Sequence, residues 1–385
     1  MECVYMKKEE CRKMSVFTGK EKLKLGFGLM RLPKLEDGSI DVEQTSKMVD
    51  LFMEAGGTYF DTAFAYEGSE EAIKKALVDR YPRDAYTLAS KCIVSAGSST
   101  TEEEAKKEIE ISLERSGAQY FDYYLVHAIT RGNYEKYEEY GIWDYVKELK
   151  EKGLIKHYGF SFHADPQLLE ELLIKHPDAE FVQLQINYAD WNHPGVASKE
   201  NYELCQKYGK PVVVMEPVKG GILANPIDEV KAIFDEANPN ASYASWALRY
   251  VASKENLLAV LSGMSSLAQM EDNLSFMKDF KPLSEEEEEV IKKAQKALDE
   301  DQLIACTACH YCTKGCPMGI PIPEIFMVQN RKKGSPEFRI HREYNIVTEG
   351  KGKASDCIGC GQCEAACPQH LPIISLLEEC RELEG

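Results

Sequence analysis

The sequence predicts a (β/α)8 barrel followed by a small, mainly helical domain, and three observations carry that prediction. Short apolar runs rich in β-branched and aromatic residues alternate eight times with longer amphipathic stretches. Several of the amphipathic stretches stop at a glycine, the residue best suited to end a helix. Beyond them, eight of the thirteen cysteines fall into two runs of the same form. The predicted organisation is an N-terminal extension over 1–21, a barrel over 22–282, an acidic helical linker over 283–300 and a cysteine domain over 301–385.

In chain order, the strand-like runs are KLKLGFGLM (22–30), YFDTA (59–63), YTLASKC (86–92) and YFDYYLVH (120–127), then HYGFSFH (157–163), FVQLQINY (181–188), PVVVMEPV (211–218) and LLAVLSGM (257–264). Continuous rather than alternating hydrophobicity suits parallel strands buried on both faces. Between them lie helical stretches such as VEQTSKMVDLFMEAG, TEEEAKKEIEISLERSG, WDYVKELKEKG, PQLLEELLIKHP and NYELCQKYG. A doubly wound open sheet is the alternative architecture, weakened because no G-x-G-x-x-G turn follows the first strand. The glutamates of SEEEEEVIKKAQKALDE (284–300) read as a solvated helix face.

A formal charge of −18 disfavours nucleic acid and anionic membranes as partners. No apolar stretch reaches the length of a membrane span, and MECVYMKKEECRK lacks the apolar core of an export signal. With thiol-rich motifs, this leads to the expectation of a cytoplasmic protein in an organism that tolerates little oxygen.

The two cysteine runs are CTACHYCTKGCP, with Cys306, Cys309, Cys312 and Cys316, and CIGCGQCEAACP, with Cys357, Cys360, Cys363 and Cys367. Each has the spacing C-x-x-C-x-x-C-x-x-x-C-P of two-cluster ferredoxins, in which the fourth cysteine reaches the other cluster. Zinc typically takes four ligands as two C-x-x-C pairs, and a disulfide framework needs an oxidising compartment. Two [4Fe–4S] clusters are therefore expected, one on Cys306, Cys309, Cys312 and Cys367, the other on Cys357, Cys360, Cys363 and Cys316. The long segment between the runs looks like that of the α-helical type of dicluster ferredoxin. Cys3, Cys11, Cys92, Cys205 and Cys380 read as ordinary thiols.

Active sites of such barrels lie at the C-terminal ends of the strands. Asp61 ends the second strand, with Tyr66 just beyond it; Lys91 ends the third and His127 the fourth. Alone, each is unremarkable, but four complementary groups at the same end of successive strands would meet in one pocket.

Through GFGLMRLP (26–33), GTYFDTAFAYEGSEEAIKKAL (57–77), LASK (88–91), DYYLVH (122–127), YGFSFH (158–163) and GMSSLAQMEDNL (263–274), residues 22–282 resemble the aldo/keto reductase superfamily. The resemblance implies that Tyr66 is the general acid, Lys91 lowers its pKa, Asp61 holds Lys91, and His127 orients a carbonyl. It also implies cofactor contacts from Gly28, Met30 and Arg31, from Ser161 and Gln185 on a nicotinamide, from Lys219, Gly220 and Gly221 on phosphate, and from Gln269 and Asn273 on the adenosine half. Met30, Tyr188, Trp191 and the loop 133–143 are candidates to line a substrate site. Phe162 stands where many relatives have asparagine, and 263–269 lacks the basic residue that would favour NADPH over NADH. The cysteine domain also replaces the usual substrate loop.

A nicotinamide moves two electrons and a cubane one, so the expected cofactor in the barrel is NAD(P)H or a flavin (FMN). The expected partners are a small carbonyl or related unsaturated substrate and a redox protein, a ferredoxin or a flavoprotein. The alternative reading is an electron-transfer protein whose barrel is only a scaffold.

Overall fold

In the computed structural model, the described residues are 23–94, 99–193, 195–299, 304–332 and 337–384. The proposed extension over 1–21, with Cys3 and Cys11, lies outside them. Eight parallel strands close into a barrel in sequence order: β1 Leu25–Gly28, β2 Tyr59–Asp61, β3 Thr87–Cys92, β4 Phe121–Ile129, β5 Ile155–Phe162, β6 Val182–Gln185, β7 Val212–Met215 and β8 Leu257–Ser262. Each lies within or against one of the apolar runs, and β8 returns to β1 through Leu25↔Val260. The helices between them run over Val42–Glu54, Glu102–Ser116, Ile142–Glu151, Pro166–Lys175 and Ser198–Lys207 among others. Gly117 and Gly153 end two of them with φ of 65° and 73°, left-handed backbone in which a Cβ is disfavoured.

The barrel interior is filled rather than hollow. Tyr59, Tyr123, Phe181, Val213, Leu258 and Leu261 pack there in one buried cluster, while helix faces cover the outer surface of the strands with a larger one. β5 and β6 approach so closely that a Cβ on Gly159 would lie 2.3 Å from the Phe181 carbonyl oxygen. Gly159→Ala is expected to lower stability by about 1–3 kcal/mol through overpacking, read as a fall in the thermal midpoint.

The acidic helix Glu285–Asp299 lies against the barrel. Leu283, Ile291 and Ala294 pack on Val230, Phe234 and Trp246, and Glu287 pairs with Arg249 at 2.6 Å. Glu285, Glu286, Glu288 and Glu289 face solvent.

The cysteine region is helical, with longer helices at Ile322–Arg331, Glu337–Thr348 and Ile373–Cys380 and short turns of helix at Tyr311–Lys314 and Gln362–Ala365. Ile322, Ile325, Phe326, Ile340, Tyr344 and Leu377 form its core, which the cysteine side chains join. This region sits over the C-terminal mouth of the barrel. Arg31 donates to the Thr307 carbonyl at 2.7 Å, and a Cβ on Gly220 would stand 2.7 Å from that same oxygen. No helix among the described residues is long and apolar enough to cross a membrane.

Candidate active site

The parallel register brings the ends of β2, β3 and β4 side by side, with Asp61 opposite Ala89 and Lys91 opposite Leu125. Lys91 is fully buried. Its ammonium donates to Asp61 Oδ1 at 2.5 Å and to the Thr62 carbonyl at 2.6 Å. Lys91 Nζ stands 4.8 Å from the centroid of the Tyr66 ring. The rings of Tyr66 and His127 meet edge to face with centroids 5.8 Å apart. The four residues anticipated as a set are thus together.

Their electrostatics are dominated by burial. Desolvation pushes the Asp61 carboxyl up and the Lys91 amine down, and their mutual attraction opposes both shifts. Burial also holds the Tyr66 phenol well above its ordinary value; the Asp61 and Glu216 charges add to this, and Arg31 opposes it. Lys91 Nζ lies over the ring, and desolvation of the phenolate is the largest influence on the phenol. His127 is pushed well below the usual imidazole range by burial, with Lys91 and His163 adding repulsion. It is therefore neutral at pH 7, and its buried Nδ1 has no hydrogen-bond partner among the described residues.

These side chains open onto a cavity of about 350 Å³ at the barrel mouth, bordered by Asp61, Tyr66 and His127 and extending past Met215 to Asp272. Of the residues assigned to a cofactor, Gly28, Met30, Arg31, Gly220, Gly221, Gln269 and Asn273 border this cavity, as does Gln185. Two do not. Ser161 is fully buried and its hydroxyl accepts the Ala128 N–H at 2.6 Å. Lys219 is buried in an ion pair with Asp190. Gln185 borders the cavity, but its amide is already engaged. It donates to Asp190 at 2.8 Å and exchanges two hydrogen bonds with Gln369, at 3.0 and 2.9 Å. Among the substrate-lining candidates Met30 is in place. Tyr188 packs on Phe234, Trp191 lies under Lys254, and Trp143 of the 133–143 loop stacks on His176.

The cysteines fall into two groups that cross between the runs. Cys306, Cys309, Cys312 and Cys367 border one small cavity, and Cys316, Cys357, Cys360 and Cys363 border another. No described cysteine is in a disulfide. Burial pushes the Cys309 thiol up to about 12, with repulsion from Cys367, Glu216 and Cys306 adding to it. Four crowded thiols with unfavourable anions around an apolar hollow are a donor set that fits a cationic iron–sulfur core, which reverses that penalty. Cys309, Pro368 and Gln369 border both the first thiol cavity and the barrel cavity, so the two share a wall.

Several residues of the site carry no local sequence signal of their role. Tyr311 and Gln369 come from the cysteine domain. His163 follows β5, and burial lowers it to about 4. Glu216 opens the turn after β7 with φ of 55°, a strained backbone for a non-glycine residue. Glu216 does lie in the apolar run PVVVMEPV (211–218), one residue past the end of β7, and a strand-end position is the one sequence feature that points to it.

A closed parallel barrel with a lysine–carboxylate pair beneath a tyrosine, joined to a two-run cysteine domain, defines an oxidoreductase architecture. The aldo/keto reductase family model matches residues 24–296 and the 4Fe-4S dicluster domain model matches 305–371. The chain belongs to the aldo/keto reductase family and carries a C-terminal 4Fe–4S dicluster domain. An uncharacterized oxidoreductase of Bacillus subtilis is 24% identical over 312 residues, covering 72% of this chain and 93% of its own. L-galactose dehydrogenase of Arabidopsis thaliana is 24% identical over 294 residues, covering 70% and 89%. Among solved structures, the holo form of an aldo-keto reductase from Bacillus halodurans is 27% identical with a TM-score of 0.58, covering 70% of this chain and 91% of that one.

Proposed function

We propose that the protein reduces a small carbonyl or related unsaturated compound in the barrel cavity, with Tyr66 as proton donor and with electrons exchanged with the dicluster domain. The observation that carries this reading is the shared wall: the cavity that holds Tyr66, His127 and Asp61 is also bordered by Cys309.

Burial keeps Tyr66 protonated until needed. As electron density builds on a substrate oxygen beside it, the phenolic proton moves to that oxygen. The Lys91 ammonium, fixed by Asp61, then lies against the phenolate that remains. Neutral His127 offers a hydrogen bond to the same oxygen without adding a charge. Bound along these cavities, a reduced nicotinamide or flavin would supply hydride, and the clusters would supply single electrons. The lining suits such an extended molecule from Gly28 and Arg31 to Gln269 and Asn273. Gln185 and Lys219, however, reach it only by leaving Gln369 and Asp190.

Tyr66→Phe is expected to lower turnover of a screened carbonyl substrate by about 10²–10⁴-fold with little change in KM. Turnover equal to that of the parent protein removes Tyr66 as the donor.

A further inference from the structure

The dicluster domain presents two unequal thiol cavities. The inner one, with Cys306, Cys309, Cys312 and Cys367, shares its wall with the barrel cavity. The outer one, with Cys316, Cys357, Cys360 and Cys363, shares no bordering residue with the barrel cavity, and its Cys360 is exposed. On its rim Ile358 is 64% exposed and Met318 39%.

The same domain carries further exposed apolar side chains. Among the described residues seven large hydrophobic side chains are exposed, and five of them, Met318, Met327, Phe338, Ile346 and Ile358, lie in the dicluster domain, the shorter part of the chain. Such clustering marks an interaction surface better than it suits a face that meets only water. Phe338, Arg342 and Ile346 recur four residues apart on the helix Glu337–Thr348, and they border a surface groove with Lys351 and Lys353. The turn that carries these lysines abuts the outer rim, since the Gly352 N–H donates to the Gly319 carbonyl at 3.3 Å.

Charge selects the partner. Arg342, Lys351 and Lys353 form no ion pair among the described residues, whereas Glu384 in the same groove is held by Ser355 and Tyr344. Glu349 is the remaining carboxylate of the groove. On a chain with a formal charge of −18, a face with unpaired cations around apolar side chains is complementary to an acidic surface.

We propose that this outer face docks an acidic one-electron carrier protein, which loads the outer thiol cavity's redox group; the inner cavity then serves the barrel. This rests on the reading that the clusters exchange electrons with the barrel. Each encounter oxidises the carrier by one electron and reduces the domain by one, so two encounters supply one two-electron reduction.

The probe is a purified acidic two-cluster ferredoxin, titrated onto the full-length, cluster-loaded protein by anaerobic calorimetry, with a basic cytochrome c as the opposite-charge probe. The expected result is ferredoxin binding that weakens with salt and falls at least about tenfold in the Lys351→Glu, Lys353→Glu double variant. A similar fall is expected for Phe338→Ser, and none for Lys292→Glu on the barrel-side helix. Iron content and bleaching by dithionite should be the same in all, showing that the domain is folded and loaded. Equal affinity in the double variant, equal loss in Lys292→Glu, or tighter binding of cytochrome c overturns the proposal. Failure of the underlying reading looks different: dithionite-reduced protein that leaves a carbonyl substrate unreduced, whatever the binding results.

Discussion

Replacing Lys91 with methionine is expected to remove carbonyl turnover and to lower the stability of the barrel by about 3–5 kcal/mol. The reason lies in the floor of the site. Lys91 is fully buried and Asp61 nearly so, and each is the other's charge partner at 2.5 Å. Methionine fills much of the lysine's volume, so the loss is electrostatic rather than steric. It leaves the Asp61 carboxylate dehydrated with one remaining hydrogen bond among the described residues, a long one of 3.5 Å from Gln183. Protonation of Asp61 relieves part of this penalty, which makes the destabilisation larger at pH 8 than at pH 5. Changing both residues, Asp61→Leu with Lys91→Met, removes both buried charges together. Stability is then expected to return to within about 1–2 kcal/mol of the parent, while turnover stays absent. Urea titration of the barrel transition, beside steady-state rates, separates these effects. A Lys91→Met protein of parental stability and activity would refute both the pairing energy and the catalytic assignment.

The same pair shows what a sequence discloses and what it hides. Strands β1 to β8 were legible because parallel strands buried on both faces leave uninterrupted apolar runs, and the Asp61, Tyr66, Lys91 and His127 series was legible because it repeats at strand ends. The pKa of Tyr66 was not, since its direction depends on how much water the folded mouth excludes. Nor were the fates of Ser161, Gln185 and Lys219, whose polar atoms are taken by Ala128, Gln369 and Asp190. Gln185 and Gln369 stand 184 positions apart. No periodicity or local motif encodes such a contact; it exists only once the cysteine region is seated on the barrel.

Cys367→Ala and Cys316→Ala are expected to have opposite consequences although each removes the last cysteine of its run. The spacing of the two runs predicts that each fourth cysteine serves the other run's cluster, and the fold groups Cys367 with Cys306, Cys309 and Cys312, and Cys316 with Cys357, Cys360 and Cys363. Under the proposed ligand sets each variant loses about half its iron, ~4 of 8 atoms per chain, and the electron-spin resonance of the reduced protein should keep only the other cluster's signal. The inner group shares Cys309, Pro368 and Gln369 with the barrel cavity. Cys367→Ala should therefore uncouple the barrel from every electron source that passes through the domain, dithionite included. Cys316→Ala should lose reduction by a protein carrier but keep dithionite-driven turnover, because the inner group is intact. A double variant, Cys316→Ala with Cys367→Ala, should hold almost no iron. Iron loss confined to the first run's three remaining cysteines in Cys316→Ala would instead mean that each run ligates its own cluster, and Cys316→Ala would then be the variant that uncouples the barrel.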